Sequence, residues 1–335
     1  MIRVEAVQTK KQKKTFIHLP FKIYKDDPHW VAPLLMDVKM KLNKQKFPFY
    51  EFGDMELFLA YRGDEVVGRI AAIYNSRYNE YHKDKSGFFG FFECTNDQEA
   101  SDALFDAAKA WLKAKGLETM TGPVNPSTNY ETGLLTEGFD DSPRIMMTYN
   151  PKYYQTLMNN YGLEKAIGLL AYKISSDTVF TEKKLERVAK LAKKRYNVKL
   201  RPISKKNFKA DVQTIKMIYD KAWEDNTGFV PITDSETDAL AKELKLVVEP
   251  KLAQFVETED GETIGIFVAL PDYFAIIKKM KGRLFPFNFL RMFTDKKAMQ
   301  YIRVWALGLV PEYRNKGIVA EFHAVFDDFP VHDGI

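Results

Sequence analysis

Two stretches of this chain of 335 residues carry the same pattern of apolar and polar positions. In the first, Met55 to Tyr61 and Val66 to Ile73 are apolar, β-rich runs on either side of Arg62-Gly63-Asp64-Glu65. In the second, Leu252 to Glu257 and Thr263 to Ala269 flank Thr258-Glu259-Asp260-Gly261-Glu262. Apolar strands around a short polar turn bearing Gly and Asp predict a β-hairpin in each place. Each returning strand has glycine at its third position, Gly68 and Gly265, where a missing side chain suits a bulge or a close backbone approach. The pattern predicts an internal repeat.

The first hairpin leads to an apolar strand, Gly87 to Cys94, and then a polar break. A helix is predicted over Gln98 to Lys115, with Leu104, Ala108, Trp111 and Leu112 on one face. Asn96 or Asp97 can cap its start and Gly116 its end. A strand (Glu118 to Thr121), a long Gly/Pro/Asn loop, a helix near Pro151 to Tyr161 and a strand (Ala166 to Ile174) complete the first copy. In the second copy, the strand Arg303 to Val310 is followed by a turn, Pro311 to Lys316, and a helix opening at Gly317. Between the copies, Thr181 to Tyr196 reads as a Lys- and Arg-rich amphipathic helix. Pro271 to Gln300, basic and rich in Phe, is expected as an amphipathic insertion with its aromatics turned inward over the sheet. This order predicts an α/β (α+β layered) protein of two domains, 1–178 and 179–335, each a mixed, mostly antiparallel sheet flanked by helices.

Composition narrows the chemistry. Hydrophobic residues at 45% and charged residues at 28% are globular values and exclude a disordered or fibrous chain. The net charge of +5 is too small to imply nucleic acid without a concentrated patch, and is compatible with a small anionic ligand. A single cysteine, Cys94, excludes an internal disulfide and a cysteine metal cluster. The five histidines are scattered without ligand spacing, so no metal is expected. Met1 to Phe21 is polar and Lys-rich, and the apolar runs fall short of the roughly 20 residues that span a bilayer. A cytoplasmic protein with neither membrane nor nucleic acid as partner is the expectation.

The stretch that bears on function is Arg303-Val-Trp-Ala-Leu-Gly-Leu-Val-Pro-Glu-Tyr-Arg-Asn-Lys-Gly-Ile-Val-Ala320. A strand that runs into a short basic turn at a helix start presents unpaired N–H groups where negative charge is favoured. Arg314 and Lys316 add formal charge, and Gly317 lets a phosphate approach the backbone. The pattern is neither the dinucleotide-binding glycine motif nor a P-loop.

This stretch resembles the GNAT superfamily of acyl-CoA-dependent N-acyltransferases, whose signature is a strand, then Pro-x-x-Arg/Gln-x-x-Gly-x-Gly/Ala, then a helix. The match runs through Leu309, Val310, Pro311, Arg314, Gly317 and Ile318, and departs at Val319, where the family has Gly or Ala. The resemblance implies that Leu309 and Val310 hydrogen-bond a pantetheine arm. It also implies that N–H groups of Arg314, Asn315, Lys316, Gly317, Ile318, Val319 and Ala320 hold the CoA pyrophosphate. At the corresponding place the first copy has Glu93-Cys94-Thr95-Asn96-Asp97-Gln98-Glu99, whose carboxylates would repel phosphate, so it reads as a degenerate copy without CoA.

Transfer of an acyl group to an amine requires a base and donors for the developing oxyanion. Glu224 and Asp225, in Trp223 to Pro231, are the candidate bases, with Trp223 and Phe229 beside the acceptor. Asn129 and Tyr130, in the polar loop Gly122 to Glu131, are further acceptor contacts. With no Gly-x-Ser-x-Gly elbow and no partner for Cys94, direct transfer from acetyl-CoA or another acyl-CoA to a small-molecule or peptide amine is expected. Two alternatives stay open: a non-catalytic CoA-binding or interaction protein that keeps the fold, and an aminoacyl or peptidyl transferase using a charged tRNA. Laying the first copy on the second puts the second copy's end beyond residue 335, so a truncated second domain is expected, and homodimerisation stays open.

Overall fold

The computed structural model describes residues 1–174 and 183–322, so the expected helix start at Thr181 and the chain after Phe322 lie outside the described residues. The chain divides into two units, Met1–Leu169 with Ile277–Leu290, and Leu170–Ile276 with Arg291–Ile335.

The first unit opens with β1 (Ile2–Ala6) and α1 (Lys10–Ile23). A capping box starts α1: Thr9 Oγ1 accepts from Gln12 N at 3.1 Å, and the Gln12 side chain accepts from Thr9 N at 3.0 Å. After α2 (Leu35–Lys41) comes the predicted hairpin, β2 (Gly53–Arg62) and β3 (Glu65–Asn75). The remaining elements are α3 (Ser76–His82), β4 (Ser86–Cys94), α4 (Gln98–Ala114), β5 (Thr119–Thr121), the short pair β6 (Val124–Asn125) and β7 (Glu131–Thr132), and α5 (Tyr154–Tyr161). The sheet order is β1-β2-β3-β4-β5, antiparallel except for the parallel β4–β5 pair. Alternation along the strands divides the core between its faces. Ala60, Ile70, Ala72 and Phe89 cluster with Leu104, Phe105, Ala108 and Leu112 of α4. Leu59, Ala71, Ile73 and Phe88 cluster with Phe16 and Ile17 of α1.

The second unit holds α6 (Lys183–Tyr196), β8 (Lys199–Pro202), α7 (Phe208–Trp223), α8 (Asp234–Val247), β9 (Ala253–Glu257), β10 (Thr263–Pro271) and β11 (Ile302–Leu309). Its sheet order is β11-β10-β9-β8, antiparallel throughout. Both sheets thus begin with a strand, two helices and a hairpin, and in both a third antiparallel strand pairs with the hairpin's second.

The glycine prediction holds in both hairpins. In β3 the register leaves Val67 as an extra residue just before Gly68, and in β10 it leaves Ile264 just before Gly265. A Cβ on Gly68 would stand 2.6 Å from Leu104 Cδ1, and one on Gly265 would stand 2.3 Å from Leu309 Cδ2. The bulge turns the backbone toward the packed element, and only glycine leaves room for it.

Three expectations are corrected. Ala166 to Ile174 forms no strand; Leu169, Leu170 and Tyr172 are exposed, because an apolar run becomes a strand only when a neighbour takes its N–H and C=O groups. Over Pro271 to Gln300 the chain forms α9 (Phe274–Met280) and short turns, and Phe285, Phe287 and Phe293 face solvent instead of covering a sheet. At Gly317 the described chain continues as a 3₁₀ helix, Ile318–Phe322, so no helix macrodipole is established there.

Candidate functional site

In the second unit β11 runs along β10 with one extra residue, Trp305, between the pairs Ala306–Val268 and Val304–Ala269. Among the described residues β11 is the outer strand, so one edge offers its polar groups to a ligand. The strand's end is fixed against the β10 bulge, where Val310 N donates to Ile264 O at 2.9 Å. Leu309 and Val310 are buried there.

Pro311 then opens a tight turn, in which Tyr313 N donates to Val310 O and Arg314 N to Pro311 O. Asn315 and Gly317 both have left-handed backbone, with φ of +58° and +74°. Gly317 is required twice over, since a Cβ there would also stand 2.9 Å from Val188 Cγ1 of α6. Among the described residues nothing accepts from the backbone N–H groups of Asn315, Lys316 and Gly317. Alternating left-handed residues with open N–H groups form a concavity suited to an anion. Lys316 Nζ sits over the Tyr313 and Tyr196 rings, 4.8 and 5.3 Å from their centroids. Ile318 and Ala320 point into the core, whereas Val319 is 44% exposed.

Arg314 does more than the sequence suggested. Its Nη2 donates to Ala222 O at 3.0 Å and its Nε to Leu309 O at 3.4 Å, tying the turn to the end of α7. Its Nη1 lies 3.7 Å from the Asp225 carboxylate. Glu224 and Asp225 are both exposed. Trp223 lies against β11, where a Cβ on Gly308 would stand 2.5 Å from its ring, and it stacks on Tyr219 at 5.0 Å. Phe229 is buried against Tyr219, a core position that leaves no ring surface for an acceptor. The fold therefore gathers Leu309, Arg314, Trp223 and Asp225 at one end of β11.

In the first unit the matching place is filled by the chain itself. The pair β4–β5 spans only Ser86 to Phe88 and then parts. At the parting Phe91 has φ of +48°, and its N–H donates to Asn125 Oδ1 at 2.7 Å. Gly90 admits the backbone of Val124 so closely that a Cβ would lie 1.7 Å from its carbonyl oxygen. Asp97 caps α4, accepting from Ala100 N at 3.2 Å, and holds Arg62 Nη2 at 2.7 Å. Asn129 and Tyr130 also lie in this unit; Asn129 N donates to Ser127 Oγ, and the Tyr130 ring is 5.4 Å from that of Phe47. Burial pushes the Cys94 thiol up to about 12, which keeps it neutral and removes it as a nucleophile.

Pattern reasoning passed over one buried polar cluster. Arg69 and Glu93 approach within 3.6 Å, and Tyr154 Oη donates to Glu93 at 2.7 Å while accepting from Cys94 N. Arg69 Nη1 donates to Phe16 O at 2.5 Å, and its guanidinium lies over the Phe16 ring. Burial raises the Glu93 carboxyl above the usual range despite Arg69, and the same burial lowers Arg69. The signal was an arginine inside the otherwise apolar run Val66 to Ile73.

No family model matches the chain. It is 34% identical over 316 residues to the bacterial ceramide synthase of Caulobacter vibrioides, covering 93% of this chain and 82% of that protein. It is 30% identical over 313 residues to protein YghO of Escherichia coli, covering 93% and 79%. Among solved structures, the GCN5-related glucosamine N-acetyltransferase region of a fungal multi-domain GH3 β-N-acetylglucosaminidase superposes with a TM-score of 0.53 at 10% identity, over 98% of this chain and 34% of that one. Its likeness concerns the fold alone, and it agrees with the resemblance carried by the β11 turn. The chain has a GNAT-like fold and belongs to the family of the bacterial ceramide synthase and YghO.

Proposed function

We propose that this protein is an acyl-CoA-dependent N-acyltransferase whose acyl-CoA site lies in the second unit, at the end of β11. The observation that carries the proposal is the turn 314–317: two left-handed residues, three open N–H groups and two basic side chains beside an open strand edge. Backbone donors hold a pyrophosphate without occupying side chains, and Arg314 and Lys316 supply its counter-charge. The outer edge of β11 can pair with the amide-bearing pantetheine arm as a further strand would. In the first unit the parted strands are filled by Val124 and Asn125, and Asp97 brings a carboxylate, so CoA is assigned to the second unit alone.

In the reaction the acceptor amine attacks the thioester carbonyl and forms a tetrahedral oxyanion. Its collapse expels the CoA thiolate, and the amine's proton passes to a base while the thiolate is protonated. Asp225 stands beside Arg314 and Glu224 next to it, and these are the carboxylates we assign to the proton. A ceramide is an N-acylated long-chain amino alcohol, so kinship with a protein named ceramide synthase favours a fatty-acyl donor over acetyl and a long-chain amino alcohol as acceptor.

Calorimetry with acetyl-CoA and palmitoyl-CoA, followed by thiol release in the presence of a long-chain amino alcohol, tests this reading. Binding with amine-dependent thiol release is expected. Binding without release would leave a CoA-binding protein that keeps the fold, and no binding at millimolar ligand would reject the site.

A further inference from the structure

The segment Ile277–Leu290 of the first unit has a composition that the acyl-transfer reading does not use. It carries four basic residues, Lys278, Lys279, Lys281 and Arg283, and no acidic one. Phe285 and Phe287 project from it at 65% and 75% exposure, with Leu290 at 47%. Such aromatics sit inside a soluble protein's core unless another phase receives them.

The projection is held in place. Leu35 N donates to Gly282 O at 2.9 Å, and Gly282, at φ of +77°, sits so close to Phe21 and Pro33 that a Cβ would meet both within 3.0 Å. Asn288 Nδ2 donates to Arg283 O at 2.7 Å, Phe289 N to Leu284 O, and Leu290 N to Phe287 O. The two phenyl rings therefore stand on a closed, hydrogen-bonded loop. Beside its anchor, α2 exposes Met36 and Met40, four residues apart on one side of the helix. The surroundings are positive: Lys14, Lys39 and Arg283 all act on His18 and, after burial, hold its imidazole below the usual range.

Apolar tips within a ring of cations match the two layers of an anionic bilayer surface, where phenyl rings enter the acyl boundary and Lys and Arg meet the headgroups. A second copy of this chain is a poorer match, since isolated tips make no flat apolar patch and the cations would face one another. Among the described residues no helix is long and apolar enough to cross a membrane, which leaves surface attachment. We infer that the Ile277–Leu290 loop, with the adjoining end of α2, docks the protein onto membranes that carry anionic lipids. The inference stands apart from acyl transfer and is read without any substrate.

The test is sedimentation of the full chain with vesicles of phosphatidylcholine alone and of phosphatidylcholine with 30% phosphatidylglycerol, at low and high salt. Partition onto the anionic vesicles at low salt is expected to exceed that onto neutral ones at least tenfold, with about fivefold lost for each cation reversed. The pairs Phe285→Ser with Phe287→Ser, and Lys281→Glu with Arg283→Glu, should each reduce partition tenfold or more while the melting temperature stays put. Equal binding to both vesicle types, no binding to either, or unchanged partition of the phenylalanine pair would overturn the inference. So would a concentration-dependent dimer that the phenylalanine pair abolishes in the absence of vesicle binding. CoA calorimetry is a separate measurement, so either idea can fail alone.

Discussion

Replacing Glu93 by Gln keeps an acceptor for Tyr154 but leaves the buried Arg69 guanidinium without its counter-charge. At the 3.6 Å separation, and with an effective dielectric of about 20, the lost attraction is about 4.6 kcal/mol. Relief of the carboxylate's own desolvation returns part of it, so a net cost of about 3 kcal/mol is expected, the low end for a broken buried pair. Arginine does not titrate in this range, so that cost should be flat between pH 5 and 8. Arg69→Met behaves differently, because the stranded Glu93 can take up a proton. Burial already raises this carboxyl, and losing Arg69 raises it further. The folded state then holds the proton more tightly than the unfolded chain, so the stabilising proton is fully present below about pH 4.5 and lost as pH rises through the folded value. The Arg69→Met cost should therefore grow with pH by up to about 1.4 kcal/mol per unit. Urea unfolding of both variants and of the double variant at pH 5, 6, 7 and 8 reads these slopes. A pH-independent Arg69→Met, or a Glu93→Gln cost below about 1 kcal/mol, would refute the reasoning, since exposed pairs contribute no more than that.

Other outcomes follow from the same contacts. Arg314→Glu should cost at least tenfold in CoA affinity by calorimetry and also loosen the link to Ala222 O; unchanged affinity would move the phosphate site elsewhere. Gly308→Ala drives a methyl into the Trp223 ring, so about 1–3 kcal/mol of stability and the order of the β11 end should be lost together, read by thermal unfolding and CoA binding. Gly265→Val should cost a similar 1–3 kcal/mol through Leu309, and a neutral result would mean that β10 relaxes away from β11. Asp97→Ala removes the α4 cap and should cost about 0.5–2 kcal/mol while leaving CoA affinity unchanged.

The local and repetitive parts of this protein were legible in its sequence. Both hairpins, their bulged glycines, β4, and α4 with Asp97 at its start follow from alternation, 3.6-residue spacing and turn chemistry, which act between near neighbours. The basic turn after β11 was legible for the same reason, as were Gly317 and its left-handed backbone. The strand β1 and helix α1 were missed, although Thr9 and Gln12 spell a capping box, because a Lys-rich start shows little apolar contrast.

Tertiary structure decided what depends on a distant partner. The apolar run 166–174 found no ladder to join, and the Phe-rich run 277–290 was set outward by a hydrogen bond to Leu35 rather than inward by its composition. Arg314 was committed partly to a carbonyl of α7, and Phe229 was taken into the core. The parted strands of the first unit were closed by Val124 and Asn125. Periodicity states which face of an element is apolar; whether that face, or a charge upon it, meets a partner is settled only when segments far apart in the chain compete for the same buried surface.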